Sequence, residues 1–177
     1  MPNWTSNTIR AEGRKDDLRA FLEAVKWQDQ IFDFNRIIPM PALLRHTAMG
    51  RAIIDGKEAR AWYVIKPAEK IGDVEQIRLF TPEEEAALRD IGYSNWYDWS
   101  IANWGKKWNA CHALILDLRL DDGYVEIAFD TAWAAPLPVL RKMFELFAKL
   151  SFVCTWQDEG EDEVHSIAHR SHSGGRP

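Results

Sequence analysis

At 177 residues the chain suffices for one domain, or one domain with an insertion, and its 46% hydrophobic and 28% charged residues are ordinary for a soluble globular protein. Net charge is -5, and the five acids and two arginines of residues 158–177 supply -3 of it, so the body is nearly neutral. That excludes a whole-domain basic field for duplex nucleic acid. No apolar run approaches a membrane span, and the N-terminus lacks the charged-then-apolar layout of a signal peptide. Cys111 and Cys154 form no C-x-x-C unit and lie in apolar strand-like runs. They read as buried free thiols in a reducing compartment, so a cytoplasmic location is expected.

Trp4 to Ala11 is a short β-leaning run closed by Gly13. Leu18, Phe21, Leu22 and Val25 then recur at helical period, with Asp16 and Asp17 in the first turn. Phe32 to Pro41 leans to strand and runs into prolines, which suits an edge strand entering a loop. Ala42 to Ile54 is compatible with a helix weakened by Gly50, and Ala61 to Ile65 with a short strand. Thr81-Pro82-Glu83-Glu84 predicts a capped helix ending at Gly92. Tyr93 to Asn109 carries four of the nine tryptophans, and Asn95 to Trp104 reads as a helix ended by Gly105. Its Trp96, Trp99 and Asn103 share a face, expected to pack near Trp133.

Period-two alternation marks Leu114–Leu120 and Val125–Thr131 as strands. Pairing Leu120 with Val125, Leu118 with Ile127 and Leu116 with Phe129 puts their apolar phases on one face and leaves Asp122-Gly123 as a type I′ turn. Leu140, Met143, Phe144 and Phe147 predict a last helix, and Ser151 to Trp156 a last strand. From Asp158 the chain is acidic, then His/Ser/Gly-rich, and reads as a disordered tail dispensable for folding. The order is β-α-insertion-β-β-α-β. The expected fold is α+β: a ferredoxin-like split βαβ antiparallel sheet over residues 1–157, helices on one face, and a large helical insertion over about 39–109.

Four blocks, in order, carry a resemblance: Met1-Pro2-Asn3-Trp4-Thr5-Ser6-Asn7, FDFNRIIPMP at 32–41, DWSIANWGKKWNA at 98–110 and FDTAWAAPLPVL at 129–140. With them the chain resembles the YubB ferredoxin-like domain family of plasmids and phages, in which a cysteine often stands at the position of Thr5. The resemblance implies a ferredoxin-like fold and a life on mobile elements. It transfers no activity, cofactor or catalytic residue, and nothing beyond Trp156.

The sequence holds no phosphate loop, nucleophile elbow or H-E-x-x-H. Asp98 and Asp130 are each flanked by aromatics, as suits a buried acid accepting hydrogen bonds or a binding carboxylate. Asp117 and Glu126 fall on the polar phase of their strands. Cys111 and His112, as strand neighbours, point to opposite faces and make no nucleophile–base pair. Trp104, Lys106, Lys107 and Trp108 interleave rings with cations, a pattern for contact with a partner or a single strand, or for complementing a helix C-terminus. His165, His169 and His172 would share one face if helical, a three-histidine zinc arrangement, against a plain polar tail.

The favoured reading is a non-catalytic binding module for a host or element protein, a counter-defence inhibitor being one version. No cofactor is expected. Two alternatives stand beside it: a metal-assisted enzyme on a nucleotide or nucleic acid using Asp98 and Asp130, and a single-stranded nucleic-acid binder.

Overall fold

The structure is a computed structural model and describes residues 3–66 and 76–171. In chain order the regular elements are β1 (Trp4–Glu12), α1 (Lys15–Val25), β2 (Thr47–Ile54), β3 (Lys57–Lys66), β4 (Gln76–Arg78), α2 (Pro82–Ile91), α3 (Trp96–Trp104), β5 (Cys111–Arg119), β6 (Tyr124–Ala132), α4 (Leu137–Leu146), β7 (Ser151–Asp158) and β8 (His165–His169). They form two compact units, one of Met1–Pro39 with Asn103–Pro177 and one of Met40–Ala102.

In the first unit an antiparallel sheet runs β5-β6-β1-β7-β8. Its first four strands, with helices following β1 and β6, make the ferredoxin-like arrangement. Alternation sets the two faces. Ile9, Ala11, Val125, Ile127, Phe129, Phe152 and Cys154 are buried on one. Phe21 of α1 and Phe144 of α4 both meet Phe152 there, at ring distances of 5.5 Å, so both helices cover that face. On the opposite face Arg10 pairs with Glu126 at 3.2 Å across the β1–β6 ladder.

The β5–β6 register differs from the expected one. Leu118 lies opposite Val125, Asp117 opposite Glu126 and Ile115 opposite Ile127, with two bulges in β5. The connection is longer than a two-residue turn: Leu120–Asp122 form a 3-10 turn closed by left-handed Gly123. The turn is claimed by tertiary contacts. Gly13 N–H donates to Gly123 O at 3.1 Å, a Cβ on Gly123 would stand 2.6 Å from Gly13 O, and Lys15 pairs with Asp121. Being an edge strand, β5 leaves Leu114, Leu116 and Leu118 46%, 55% and 48% exposed rather than in the core.

The supposed tail contributes the fifth strand. β8 pairs with β7, placing His165, Ile167 and His169 opposite Trp156, Cys154 and Phe152. His169 stacks on Phe144 at 5.5 Å and His165 on Trp156 at 5.7 Å. Alternation of three large side chains with small ones is what made this strand, and its polar composition hid it. Residues 172–177, His172 included, lie outside the described residues.

The second unit is not the helical insertion expected. Ala42–His46 is a 3-10 turn and Thr47–Ile54 a strand, part of a three-stranded sheet β2-β3-β4. Asp55-Gly56, both at positive φ, make the tight β2–β3 turn. Ala59, Trp62 and Val64 form its core with Ala48, Ala52, Ile54 and Ile77. α2 has the expected capping box between Thr81 and Glu84 and ends at left-handed Gly92. Among the described residues no helix is long and apolar enough to cross a membrane.

Two outcomes test this arrangement. Ending the chain after Glu163 removes β8, half-buried Ile167 and the His169–Phe144 contact. Urea unfolding should then show a loss of about 2 kcal/mol, and an unchanged midpoint would mean that β8 adds nothing to the sheet. The second concerns Glu84, which accepts two bonds of 2.6 Å from Arg78 and one of 2.9 Å from Thr81 N–H. Arg78 first, then the Thr81 backbone, lower its pKa from 4.5 to about 2. The depressed folded value means that the contribution is complete above pH 4.5 and is lost as pH falls towards about 2. Thr81 and Arg78 resonances should titrate across that window, and Glu84→Gln should abolish the transition.

Candidate functional site

The antiparallel registers bring one end of five strands together: Trp4 lies opposite Ala132, Thr5 opposite Asp158, Cys111 opposite Asp130 and Trp156 opposite His165. Onto this end the chain delivers the loop after α3. Three bonds hold that loop. The Trp104 indole N–H donates to Ile38 O at 2.9 Å, and Asn109 Nδ2 donates to Asp33 Oδ1 at 2.6 Å while Asn109 Oδ1 accepts from Phe34 N–H at 2.8 Å. Gly105 is left-handed, and a Cβ there would meet Pro138 Cδ at 3.1 Å.

Trp108 emerges from this loop and stacks on Trp133, with ring centroids 6.2 Å apart and planes 22° apart. The rings stay 37% and 52% exposed. Lys107 Nζ sits 4.8 Å from the Trp108 ring. Trp133 has φ 69, a left-handed backbone that costs a bulky residue about 1–2 kcal/mol. Its N–H donates to Asn3 O at 2.8 Å, which fixes the strand end in this shape.

Polar groups line the helix-facing side of the same strand end. The Thr5 hydroxyl donates to Asp158, and Asn7 Nδ2 donates to Thr131 Oγ1 at 2.9 Å and to Thr5 O at 2.8 Å. Asn7 Oδ1 is buried and has no partner among the described residues. Lys106 is buried too. Burial pushes its ammonium below the ordinary value, with Asp158 pulling the other way.

Asp130 lies on the opposite face. It pairs with His112 Nδ1 at 3.0 Å and accepts from Ser6 Oγ at 3.3 Å, and the Trp4 ring lies 5.6 Å from that of His112. His112 is left-handed at φ 52, where β5 bulges. The carboxylate can orient the imidazole, but the serine hydroxyl is turned to the acid rather than to the ring, so a nucleophile–base–orienter chain is not formed. Burial raises the Cys111 thiol and pushes Cys154 up to about 12, away from the reactive thiolate.

The sequence-derived set therefore separates. Lys107, Trp108 and Asp130 reach the surface of the strand end. Trp104 and Lys106, expected as contact residues, are buried. Asp98 is exposed and exchanges two hydrogen bonds with Asn95, 2.8 and 2.9 Å, that cap α3. Trp133 takes Trp108 as a ring partner. His165 and His169 stand four residues apart on a strand, about 13 Å, too far to share a metal ion. Among the described residues no three histidine, cysteine or acidic side chains group to hold one. The sequence reading missed Trp133, His112 and Asp158 as members of this end. Only register brings them together, although Trp133 stood inside a recognised block.

A backbone test follows. Trp133→Gly removes the ring and relieves the left-handed strain, so it should be more stable than Trp133→Ala by about 1 kcal/mol. Trp99→Ala, at a ring only 5% exposed, should cost about 3–5 kcal/mol. Equal stability of the two Trp133 variants in urea unfolding would remove the strain argument.

Residues 103–165 match a family model described as the ferredoxin-like domain in Api92-like protein. No curated protein matches the chain in sequence. Among solved structures, a crystal structure of a protein api92 from Yersinia pseudotuberculosis aligns over 100% of both chains, at 11% identity and a TM-score of 0.47. Residues 103–165 are thus similar to the ferredoxin-like domain of Api92-like proteins.

Proposed function

We propose that the chain is a non-catalytic binding module that docks a protein partner through the strand end of its ferredoxin-like unit. The observation that carries this reading is the Trp108–Trp133 stack: two large rings kept half in water, one of them on a strained backbone. Tryptophan is enriched at interaction hot spots, and strain of this kind persists where the surrounding structure holds a functional shape. The four sequence blocks support membership of the YubB family, and with it a plasmid or phage setting. There the partner would be a host or element protein in the bacterial cytoplasm, and a counter-defence role one form of the activity. The metal-enzyme reading draws less support, because Asp98 serves a helix cap and Asp130 engages His112 and Ser6. The single-strand reading keeps only Lys107 and Trp108 of its four residues at the surface.

Affinity capture from bacterial lysate tests the proposal. Wild type and a Trp108→Ala/Trp133→Ala double variant should melt alike within a few degrees, while recovery of the partner falls about tenfold or more in the variant. Equal recovery by both proteins would sink the docking role of the two rings.

A further inference from the structure

We infer that the partner segment docking on the tryptophan surface is basic and presents an arginine or lysine to Trp133. This rests on the protein-partner reading above and specifies its chemistry. The apolar centre of the surface is the Trp108–Trp133 stack. Its rim is set by β1. Asn3 O takes the Trp133 N–H on one side, while on the other Trp4 N–H donates to Glu159 Oε2 at 2.9 Å and Trp4 O accepts from Glu159 N–H at 2.8 Å. The Trp133 and Glu159 backbones therefore flank the same two residues, about two strand spacings or 10 Å apart. From Glu159 the β7–β8 connection carries Glu161, Asp162 and Glu163, all exposed. It is held in shape by Gln157 Nε2 donating to Glu161 O at 2.8 Å and Glu161 N–H donating to Asp158 O at 3.1 Å.

Among the described residues, the basic groups at this end have neighbours of their own, His165 lying 3.9 Å from Glu163. Lys107 covers the Trp108 ring, Lys106 is buried near Asp158, and His112 is paired with Asp130. The half-exposed Trp133 ring and the four carboxylates of the connection thus complement a positive occupant. A guanidinium stacks on an indole and bonds carboxylates in a fork, so a segment with arginines spaced along it meets the ring with one and the carboxylates with another. A nucleic-acid strand could stack on the same rings, but its phosphates would meet those carboxylates.

The test titrates the full chain with a nine-residue arginine-rich peptide and with the same peptide carrying neutral citrulline. Indole N–H resonances report on Trp108 and Trp133. The arginine peptide should shift both, and citrulline should weaken binding about tenfold or more. Glu161→Gln/Glu163→Gln should weaken it severalfold, whereas Glu83→Gln/Glu85→Gln, an equal change of charge on α2, should leave it within about twofold. Equal losses in the two variants would mean attraction to net charge alone and overturn the inference. So would an absent Trp133 shift, or stronger shifts with oligothymidylate. Partner capture separates the two levels. A partner lost in the tryptophan double variant but retained by Glu161→Gln/Glu163→Gln would keep the protein-binding reading and overturn this one. A partner retained by the tryptophan double variant would remove the reading beneath it.

Discussion

The ferredoxin-like unit is interrupted in sequence, and its continuity depends on a buried acid. Asp33, 4% exposed, accepts from Asn109 Nδ2, and its Oδ1 also takes the Asn35 N–H at 2.8 Å. Asn109 Oδ1 in turn accepts from the backbone of Phe34 and Ala110. One carboxylate and one amide thus join segments 76 residues apart. A second bond, from the Trp104 indole to Ile38 O, joins the chain where it leaves the unit to the chain where it comes back. Hydrogen bonds to a carboxylate are the strong kind, and removing Asn109 would leave the buried Asp33 short of a donor. This explains why a segment of sixty-odd residues, Met40–Ala102, can intervene without opening the sheet unit. Loop closure scales only slowly with length, so the latch has to beat a modest entropy.

The same latch aims the surface. With Asn109 held and Gly105 turned against Pro138, the residues between them have little freedom. Trp108 is thereby set beside Trp133, and Lys106 is directed inward. At this strand end the first sheet face is no longer apolar: Thr5, Asn7 and Thr131 replace the aliphatic residues that continue the same phase in Ile9, Ala11 and Ile127. A polar strand end is costly unless satisfied, and here nearly every group finds a bond, Asn7 Oδ1 being the exception. The core thus grades from close-packed phenylalanines around Phe152 to a hydrogen-bonded group at the strand end.

Much of the frame was legible in the sequence because its signals are local. The helical stripe of α1, the Thr81–Glu84 capping box, the left-handed Gly92 and the alternation in β6 and β7 all act over a few residues. Helices α3 and α4 follow the same kind of local pattern. Of the site, local chemistry marked Lys107, Trp108 and Asp130, since cations beside rings and acids beside aromatics are visible without a fold. The Asp-Gly pair shows the limit. At residues 55–56 it makes the tight hairpin turn, whereas at 122–123 a backbone contact with Gly13 and the Lys15–Asp121 pair impose a longer loop.

What tertiary structure alone decided involves partners distant in sequence. The leucines of β5 carry a core pattern, yet an edge position leaves them in water, because alternation names a face and not its cover. β8 has a polar composition, yet pairing with β7 and ring contacts to Phe144 and Trp156 order it. Lys106 and Lys107 are neighbours of one residue type, and only the packing of their loop buries the first and leaves the second half-buried over the Trp108 ring. The left-handed Trp133 is invisible to propensity, which favours glycine there. Its conformation comes from the Asn3 carbonyl and the Trp108 ring, 130 and 25 positions away along the chain, whose attraction outweighs a local strain of about 1–2 kcal/mol.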